Sequence, residues 1–272
     1  MVASDGTRRW AAVTGASSGI GAAFARALSA EGFGVLLVAR GEDALDDVAA
    51  GLPGPTETLV ADLATPADVT RVEARLARPG EGRIGLLVNN AATGHWGSFD
   101  EQPPEDLAET ITVNVTAAAR LARAVLPGMV AAGEGGVITV SSPAGARPSP
   151  RLATYGASKA FLDALDASLR EELTAAGSAV TVTTVWPGWT RTRFHQRLGE
   201  DVDAVPDELW GSADTVAREA LRRHRLGHAT VRVPEPTLRQ LVVEEARRAR
   251  RALPGPVRAR LSAVARAVGR GA

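Results

Sequence analysis

Residues 10–21, WAAVTGASSGIG, decide the fold, because they join a short apolar run to a glycine-rich turn and then to an apolar segment of helical period. The run at 10–14 predicts a buried strand, and residues 19–30 predict a helix. Glycines at 15, 19 and 21 let the backbone of the turn come close to a group bound at the helix N-terminus. This order of strand, turn and helix is typical of the first unit of a parallel α/β sheet.

The same alternation continues along the chain. Further strands are predicted at 34–39, 57–61, 84–89, 137–141 and 179–186, and further helices at 42–50, 66–77, 105–132 and 155–176. Nearly continuous apolar strands separated by helices indicate a parallel sheet that is buried on both faces. We therefore predict a single-domain α/β fold, a Rossmann-like doubly wound parallel sheet with helices on both faces. The polar segment 187–212 predicts a long loop, with a short helix at most, that covers a site.

The composition excludes several classes of protein. A chain of 272 residues with 45% hydrophobic and 23% charged residues is typical of a globular domain. It has no cysteine and only four histidines, so we expect no disulfide and no metal site, and we place His224 and His228 on the surface. The polar N-terminus and the absence of a run of 18 apolar residues favour a cytoplasmic protein.

Charge is distributed unevenly although the formal net charge is zero. Residues 218–272 carry fourteen Arg and four Glu, a formal charge of +10. Within them, residues 257–268 predict a basic amphipathic helix that packs on its own domain or on a partner subunit, or associates weakly with an anionic membrane surface. We therefore divide the chain into a domain at 1–225, for which the motifs described below predict nucleotide binding and an integral catalytic site, and a basic C-terminal extension at 226–272. We expect no nucleic-acid partner.

Polar residues follow the predicted strands, at the edge where open α/β sheets bind ligands. They are Gly, Arg, Asp, Asn and Ser, which bond sugars and phosphates but are also common in turns. The first turn also fits the G-x-S-x-G pattern of a hydrolase nucleophile, with Ser17 as the attacking residue. Because only one strand precedes Ser17, no earlier loop is available for a second oxyanion donor, and this hypothesis stays a distant alternative.

The sole tyrosine and the sole lysine of the chain are Tyr155 and Lys159. Their spacing of four places them on one face of a helix. A cation within several Å lowers the pKa of a phenol from near 10 by about one to three units, which suits proton exchange with a substrate oxygen. The alternative is a core tyrosine with a surface lysine one turn away.

A series of further motifs follows in order along the chain: TGASSGIG at 14–21, Asp62, Asn89-Asn90-Ala91-Ala92, Asn114, Ser142, YGASK at 155–159, Pro187-Gly188 and Thr192. In these motifs and their order the chain resembles the short-chain dehydrogenase/reductase family over roughly residues 8–225. The resemblance implies a catalytic tetrad of Asn114, Ser142, Tyr155 and Lys159, in which Tyr155 exchanges the proton with a carbonyl or alcohol oxygen. Ser142 would bond the same oxygen, Lys159 would bond the nicotinamide ribose, and Asn114 would hold a water. A cofactor-binding sensor without turnover is the second interpretation.

The resemblance also implies a nicotinamide cofactor and a homodimer or homotetramer paired through 105–132 and 155–176. Ala92 departs from the family, which usually has Gly there. The implied cofactor contacts are Gly15, Ser17, Ser18, Gly19, Ile20, Arg40, Asp62, Leu63, Asn89, Ala91, Tyr155, Lys159, Pro187, Gly188, Thr190 and Thr192.

The choice of cofactor depends on Ala39 and Arg40 at the end of the second strand. A carboxylate there would bond the ribose 2′-hydroxyl of NAD, whereas an Arg accommodates the 2′-phosphate of NADP. Glu42 and Asp43 could pair with Arg40, but they fall where the next helix begins. We therefore predict that NADPH is preferred and that the substrate is a carbonyl compound to be reduced.

Residues 93–99, 143–154 and 188–212 are expected to form the substrate pocket. Their side chains are largely apolar or aromatic, which predicts a bulky or lipophilic carbonyl or alcohol, although Trp96 and Phe99 could simply pack the loop. The expected pocket residues are His95, Trp96, Pro143, Trp189 and Phe194.

Overall fold

A computed structural model, which describes residues 9–80, 82–199 and 205–234, contains one seven-stranded sheet with the strand order β3-β2-β1-β4-β5-β6-β7. All of its pairings are parallel. The predicted Rossmann-like doubly wound fold is therefore confirmed. The strands are β1 Trp10–Thr14, β2 Gly34–Ala39, β3 Thr56–Val60, β4 Ile84–Asn89, β5 Gly136–Val140, β6 Thr181–Pro187 and β7 Thr230–Val233.

Helices cover both faces of this sheet. They are α1 Gly19–Ala30, α2 Glu42–Ala50, α3 Pro66–Leu76, α4 Pro104–Ile111, α5 Ala118–Ala132, α6 Ala153–Ala175, α7 Phe194–Leu198 and α8 Ala213–Arg225. One apolar core contains Phe24 and Leu28 of α1 with Leu221 of α8, and the other contains Val72 of α3 with Leu121 of α5. The sheet is thus buried on both sides, as the apolar strands predict.

The segment predicted as one helix over 105–132 is three pieces. A π-helical turn, Thr112–Ala117, separates α4 from α5 and contains Asn114. The whole stretch, Pro104–Ala132, is long and apolar enough to cross a bilayer by length and composition. Its buried side chains Leu121, Val125 and Met129 belong to the core cluster beside the sheet, and 33% of its most apolar window is buried, so the protein interior accounts for part of its apolar character.

The chain reverses its winding direction at β1, which lies between β2 and β4. A crevice opens at such a point, at the carboxyl ends of the strands. Here the Thr14 hydroxyl accepts hydrogen bonds from the backbone N–H groups of Asn90 (2.9 Å) and Ala91 (3.0 Å). The Asn90 amide donates to the Thr14 carbonyl oxygen at 2.9 Å, which fixes the two strand ends side by side.

The sheet extends beyond the division predicted at residue 225. Neither α8 nor β7 was among the predicted elements, yet β7 pairs with β6 from Thr184↔Thr230 to Pro187↔Val233. The compact unit that contains the sheet runs to Pro234. The rest of the basic extension, with the amphipathic stretch 257–268, lies outside the described residues.

His224 is buried, so its predicted surface position is wrong. Its ring lies 2.9 Å from the Thr183 hydroxyl through Nδ1 and 3.2 Å from the Thr181 hydroxyl through Nε2. Sequence spacing did not show this contact because both partners come from β6, about forty residues earlier. Burial, assisted by the charge of Arg225, lowers the pKa of His224 from 6.5 to about 4.

We predict that His224 makes the fold acid-sensitive. Between about pH 6.5 and pH 4 the unfolded chain binds a proton at this residue and the folded chain does not, so the free energy of unfolding falls by up to roughly 3 kcal/mol as the pH drops. Urea denaturation of the wild type and of His224→Gln measures it: the stability difference between the two should narrow on going from pH 7.5 to pH 4.5. Asp166, whose pKa burial raises to about 6, acts in the opposite sense but is present in both proteins. A stability difference between wild type and His224→Gln that is the same at pH 7.5 and pH 4.5 would contradict the prediction.

Candidate active site

A cleft of about 430 Å³ lies at the carboxyl ends of the strands and extends from the glycine-rich turn to α6. Seventeen residues predicted for the site line it together. They are Gly15, Ser17, Ser18, Gly19, Ile20, Arg40, Asp62, Leu63, Ala91, Ser142, Tyr155, Lys159, Pro187, Gly188, Thr190, Thr192 and Phe194.

The glycine-rich turn leaves space at the N-terminus of α1. Gly19 has φ +56°, and a Cβ built on it would lie 2.9 Å from Cγ2 of Thr192, too close for a real side chain. A glycine is therefore needed both for the backbone conformation and for the approach of Thr192. Since helix N-termini favour anions, this open cradle fits the pyrophosphate of a dinucleotide.

Arg40 lies at the end of the cleft formed by β2 and β3. It is 62% exposed, and its Nη1 is 3.4 Å from Oε1 of Glu109, a weak solvated pair. Glu42 and Asp43 occupy the first turn of α2, as the sequence predicts, and neither forms an ion pair with Arg40 among the described residues. Arg40 therefore presents its guanidinium to the cleft beside the buried Ala39.

Tyr155 and Lys159 are both buried on the first turns of α6. Lys159 Nζ lies 5.6 Å from the centroid of the Tyr155 ring and donates a hydrogen bond of 2.8 Å to the carbonyl oxygen of Val140. Burial lowers the pKa of Lys159 to about 8, with the charge of Asp163 opposing the change. The ammonium form therefore predominates at neutral pH beside the phenol.

Ser142 and Asn114 surround this pair in different ways. Ser142 lines the cleft, and its Oγ accepts a hydrogen bond of 3.1 Å from the backbone N–H of Ala144. The Asn114 side chain bonds both backbone groups of Thr93, at 2.9 and 2.8 Å, and donates to Ser158 Oγ at 3.0 Å. Asn114 is thus buried beneath the cleft in the π-helical turn, a feature that often marks functional sites. A water held by it remains a prediction.

Two carboxyl groups lie on α6 behind Lys159. Asp163 Oδ1 accepts from the indole N–H of Trp186 at 3.0 Å, and burial raises its pKa. Asp166 accepts from the hydroxyls of Thr139 (3.1 Å) and Thr184 (2.8 Å). These hydrogen bonds from hydroxyl and indole donors compensate the burial of the carboxyl groups, and they connect α6 to β5 and β6.

Some predicted site residues lie outside the lining of the cleft. The Asn89 amide donates to the Ala118 carbonyl oxygen at 3.0 Å and is buried. His95 pairs with Asp106 at 2.9 Å, Trp96 lies under Arg151 at 5.4 Å, and Trp189 stacks on His195 at 4.8 Å. Pro143 is also absent from the lining. A substrate role for these residues therefore stays a prediction.

Other lining residues were not predicted individually. They include Thr93 and Ala92 after β4, Glu109 of α4, and Arg193, His195 and Arg197 around α7. The last three lie within the segment 188–212 that the sequence predicts to cover the site. No periodic pattern showed which of its side chains face inward.

Ser17 lines the cleft beside the glycine-rich turn, as both the hydrolase and the nucleotide-binding hypotheses require. Among the described residues its hydroxyl forms no hydrogen bond to a histidine. A serine nucleophile needs such a base for activation. The geometry therefore favours the nucleotide-binding hypothesis.

Comparison with known proteins gives a consistent result. The family model for short chain dehydrogenases matches residues 9–203. The chain is 34% identical over 238 residues to the very-long-chain 3-oxoacyl-CoA reductase of Anas platyrhynchos, and the match covers 82% of this chain and 74% of the relative. Several other curated relatives match over only 50–52% of their length.

Two solved structures resemble the fold over most of its length. A short-chain dehydrogenase from Sphingobium yanoikuyae in complex with NADPH has a TM-score of 0.79 and 36% identity, covering 89% of this chain and 94% of that one. The bulky-bulky ketone specific alcohol dehydrogenase of Comamonas testosteroni has a TM-score of 0.75 and 28% identity, covering 91% and 95%.

Proposed function

The chain belongs to the short-chain dehydrogenase family of oxidoreductases, and on that premise we propose that it reduces a ketone or aldehyde to an alcohol with NADPH, or catalyses the reverse reaction. One observation carries the proposal: Tyr155, Lys159 and Ser142 line the same cleft as the glycine-rich turn. A proton-exchanging group and a cradle for a dinucleotide thus meet in one cleft. The relatives named for a 3-oxoacyl-CoA and for bulky ketones support a carbonyl substrate.

Three residues have different roles around the carbonyl oxygen of the substrate. Tyr155 donates the proton to that oxygen, Ser142 Oγ hydrogen-bonds it, and the Lys159 ammonium favours the phenolate that remains. When bound, NADPH supplies the hydride for the carbonyl carbon, so that NADPH, a proton and the carbonyl compound become NADP⁺ and an alcohol. Phe194 packs on the Tyr155 ring at 5.6 Å between centroids and limits access of water to the phenol.

The test is oxidation of NADPH and NADH, followed at 340 nm, across aldehydes, ketones and quinones. We expect NADPH consumption with at least one carbonyl class and an alcohol product in equal amount. A sensor would bind NADPH without consuming it, and a hydrolase would release product from an ester without any cofactor. Either result would replace the proposal.

The preference for NADPH makes a separate prediction at Ala39 and Arg40. One charge-assisted contact from Arg40 to the 2′-phosphate is worth about ten- to a hundredfold in affinity over NADH. The double variant Ala39→Asp/Arg40→Ala should reverse the preference, because a carboxylate repels the phosphate and accepts from a ribose hydroxyl. Fluorescence titration of NADPH and NADH measures both Kd values.

Glu109→Gln is the matched control for the cofactor prediction. It removes the carboxylate that lies 3.4 Å from Arg40 and leaves the guanidinium in place. NADPH should bind this variant at least as tightly as it binds the wild type. Equal wild-type affinities for the two cofactors, or no shift in the double variant, would contradict the assignment.

Three further expectations belong with this proposal. We propose a homodimer or homotetramer, a cytoplasmic location and no nucleic-acid partner. Sedimentation of the full chain with and without residues 254–272 tests whether the C-terminal segment contributes to assembly, and binding to anionic liposomes tests its membrane association.

A further inference from the structure

Arg193 and Arg197 face the cleft from the two ends of α7. Arg193 precedes the helix, Arg197 lies one turn later, and both line the cleft that contains Tyr155. Residues four apart share a helix face, so the two guanidinium groups can approach one bound group together. Phe194, between them, contacts the Tyr155 ring at 5.6 Å between centroids, which places α7 directly against the proton-exchanging residue.

Neither side chain has a partner of its own in the part of the chain that the structure describes. Arg191, two residues earlier, pairs with Asp207 at 2.6 Å, and Arg120 pairs bidentately with Glu73, whereas the guanidinium groups of Arg193 and Arg197 form no ion pair, hydrogen bond or ring contact there. Two unpaired cations one turn apart repel each other, and an anion between them removes that cost.

The charge of the cleft is divided between its ends. Among the residues that the structure describes, the carboxylates that line it are Asp62, after β3, and Glu109, beside Arg40, so both lie at the β2–β3 end. At the opposite end the charged lining residues of that described part are Lys159, Arg193 and Arg197, with His195 beside them. A cleft that is lined by positive charges at one end attracts an anionic ligand to that end.

We propose that Arg193 and Arg197 bind an anionic group of the substrate, a carboxylate or a phosphate, set apart from the carbonyl that is reduced. The inference rests on the proposed function and specifies its substrate class. His195, which lines the cleft between these two arginines in the chain, packs against Trp189 and Trp210 at 4.8 and 5.5 Å between ring centroids, and these contacts hold this part of the lining in place. A planar guanidinium group suits both anions. A carboxylate offers it two coplanar oxygens, and a phosphate offers it three oxygens on one face.

The phosphates of the cofactor are the competing source of negative charge. Thr192, next to Arg193, lies against Gly19 of the pyrophosphate cradle. If the arginines bound those phosphates, their removal would weaken NADPH binding. If they bind the substrate, their removal leaves the Kd of NADPH within about threefold and changes only which carbonyl compounds are accepted.

Two pairs of compounds, each differing in one anionic group, test the proposal. The first is 4-acetylbenzoate with its methyl ester, and the second is acetoacetyl-coenzyme A with the acetoacetyl thioester of N-acetylcysteamine. We expect kcat/KM to favour the anionic member of at least one pair by about tenfold or more, and the preference to decrease at high salt. Preference in the first pair alone indicates a carboxylate, and preference in the second alone indicates the phosphates of a carrier.

The variant R193Q/R197Q should lose this preference while it still reduces the neutral members. R191Q is the control, since it removes one positive charge from the same segment at a residue outside the cleft lining, and the single variants R193Q and R197Q match it in charge. A preference that survives in R193Q/R197Q, or its absence in the wild type, would overturn the inference. So would a large rise in the Kd of NADPH in R193Q/R197Q with the preference unchanged.

Binding separates failure of this inference from failure of the proposed function. The Kd values of 4-acetylbenzoate and its methyl ester are measured on NADPH-loaded protein whether or not turnover occurs. If no carbonyl consumes NADPH, the proposed function fails, yet tighter binding of the carboxylate that depends on Arg193 and Arg197 still supports the anion site. Equal affinities for 4-acetylbenzoate and its methyl ester would contradict the anion site even if the protein is an active reductase.

Discussion

Tyr155→Phe is expected to lower kcat for carbonyl reduction by about 10²–10⁴-fold, the range for loss of one general acid. The phenyl ring retains the packing of Tyr155 against Phe194 and the neighbouring turn of α6, so the fold should be unchanged. Only the hydroxyl that exchanges the proton is removed. Initial rates of NADPH oxidation with the best carbonyl from the screen measure the effect.

Thermal unfolding and NADPH titration are the controls for this variant. The Tm should stay within a few degrees of wild type, and the Kd of NADPH within about threefold. A variant that binds cofactor normally and retains more than a tenth of wild-type kcat would show that Tyr155 is not the proton donor.

Lys159→Met should reduce kcat/KM by roughly a hundredfold or more and should also weaken NADPH binding. Methionine fills most of the buried volume of the lysine but carries no charge, and it leaves the Val140 carbonyl oxygen without its 2.8 Å donor. The proton exchange at Tyr155 then proceeds without the neighbouring ammonium. The ratio of the two losses separates the contribution to chemistry from the contribution to binding.

The pH profile gives this prediction a second readout. Because the Lys159 pKa is about 8, the wild-type kcat for reduction should decline as the pH rises past about 8. In Lys159→Met that limb should move to higher pH, since the phenol then titrates nearer its ordinary value of about 10. An unchanged alkaline limb would show that the ammonium does not control the reaction. Lys159→Arg, which keeps the charge at all these pH values but enlarges the side chain, tests whether charge alone restores the rate.

Much of the fold could be predicted because the hydrophobic pattern of each segment agrees with its place in the packed structure. Strands β1, β2, β4 and β5 are apolar along most of their length, and each is followed by a glycine or a polar residue at the carboxyl edge of the sheet. A parallel sheet covered on both faces requires this pattern, and its carboxyl edge collects the residues that follow the strands. The Tyr155–Lys159 pair was likewise visible, because a spacing of four fixes a common helix face wherever the helix lies.

The outer part of the sheet could not be predicted in this way. The strand β7 has four residues and includes Arg232, so its apolar content is too small to identify it, and its place follows from pairing with β6. The helix α8 places Val216, Ala217, Ala220 and Leu221 on one face among arginines, a helical spacing that was present in the sequence and that the prediction missed. The burial of His224 depends on two threonines of β6 that only the packed structure brings to it.

The sequence by itself thus determined the class of fold, the cradle at residues 14–21 and the reacting pair on α6, since each depends on residues close together in the chain. The tertiary structure decided which side chains of the segment after β6 face the cleft. Phe194 packs on the Tyr155 ring and Arg193 and Arg197 line the cleft, whereas Trp189 stacks on His195 outside the lining. It also decided that Asn114 anchors Thr93 and that Asn89 bonds α5. Contacts across twenty or more residues depend on how separate elements pack, and local spacing carries no information about that packing.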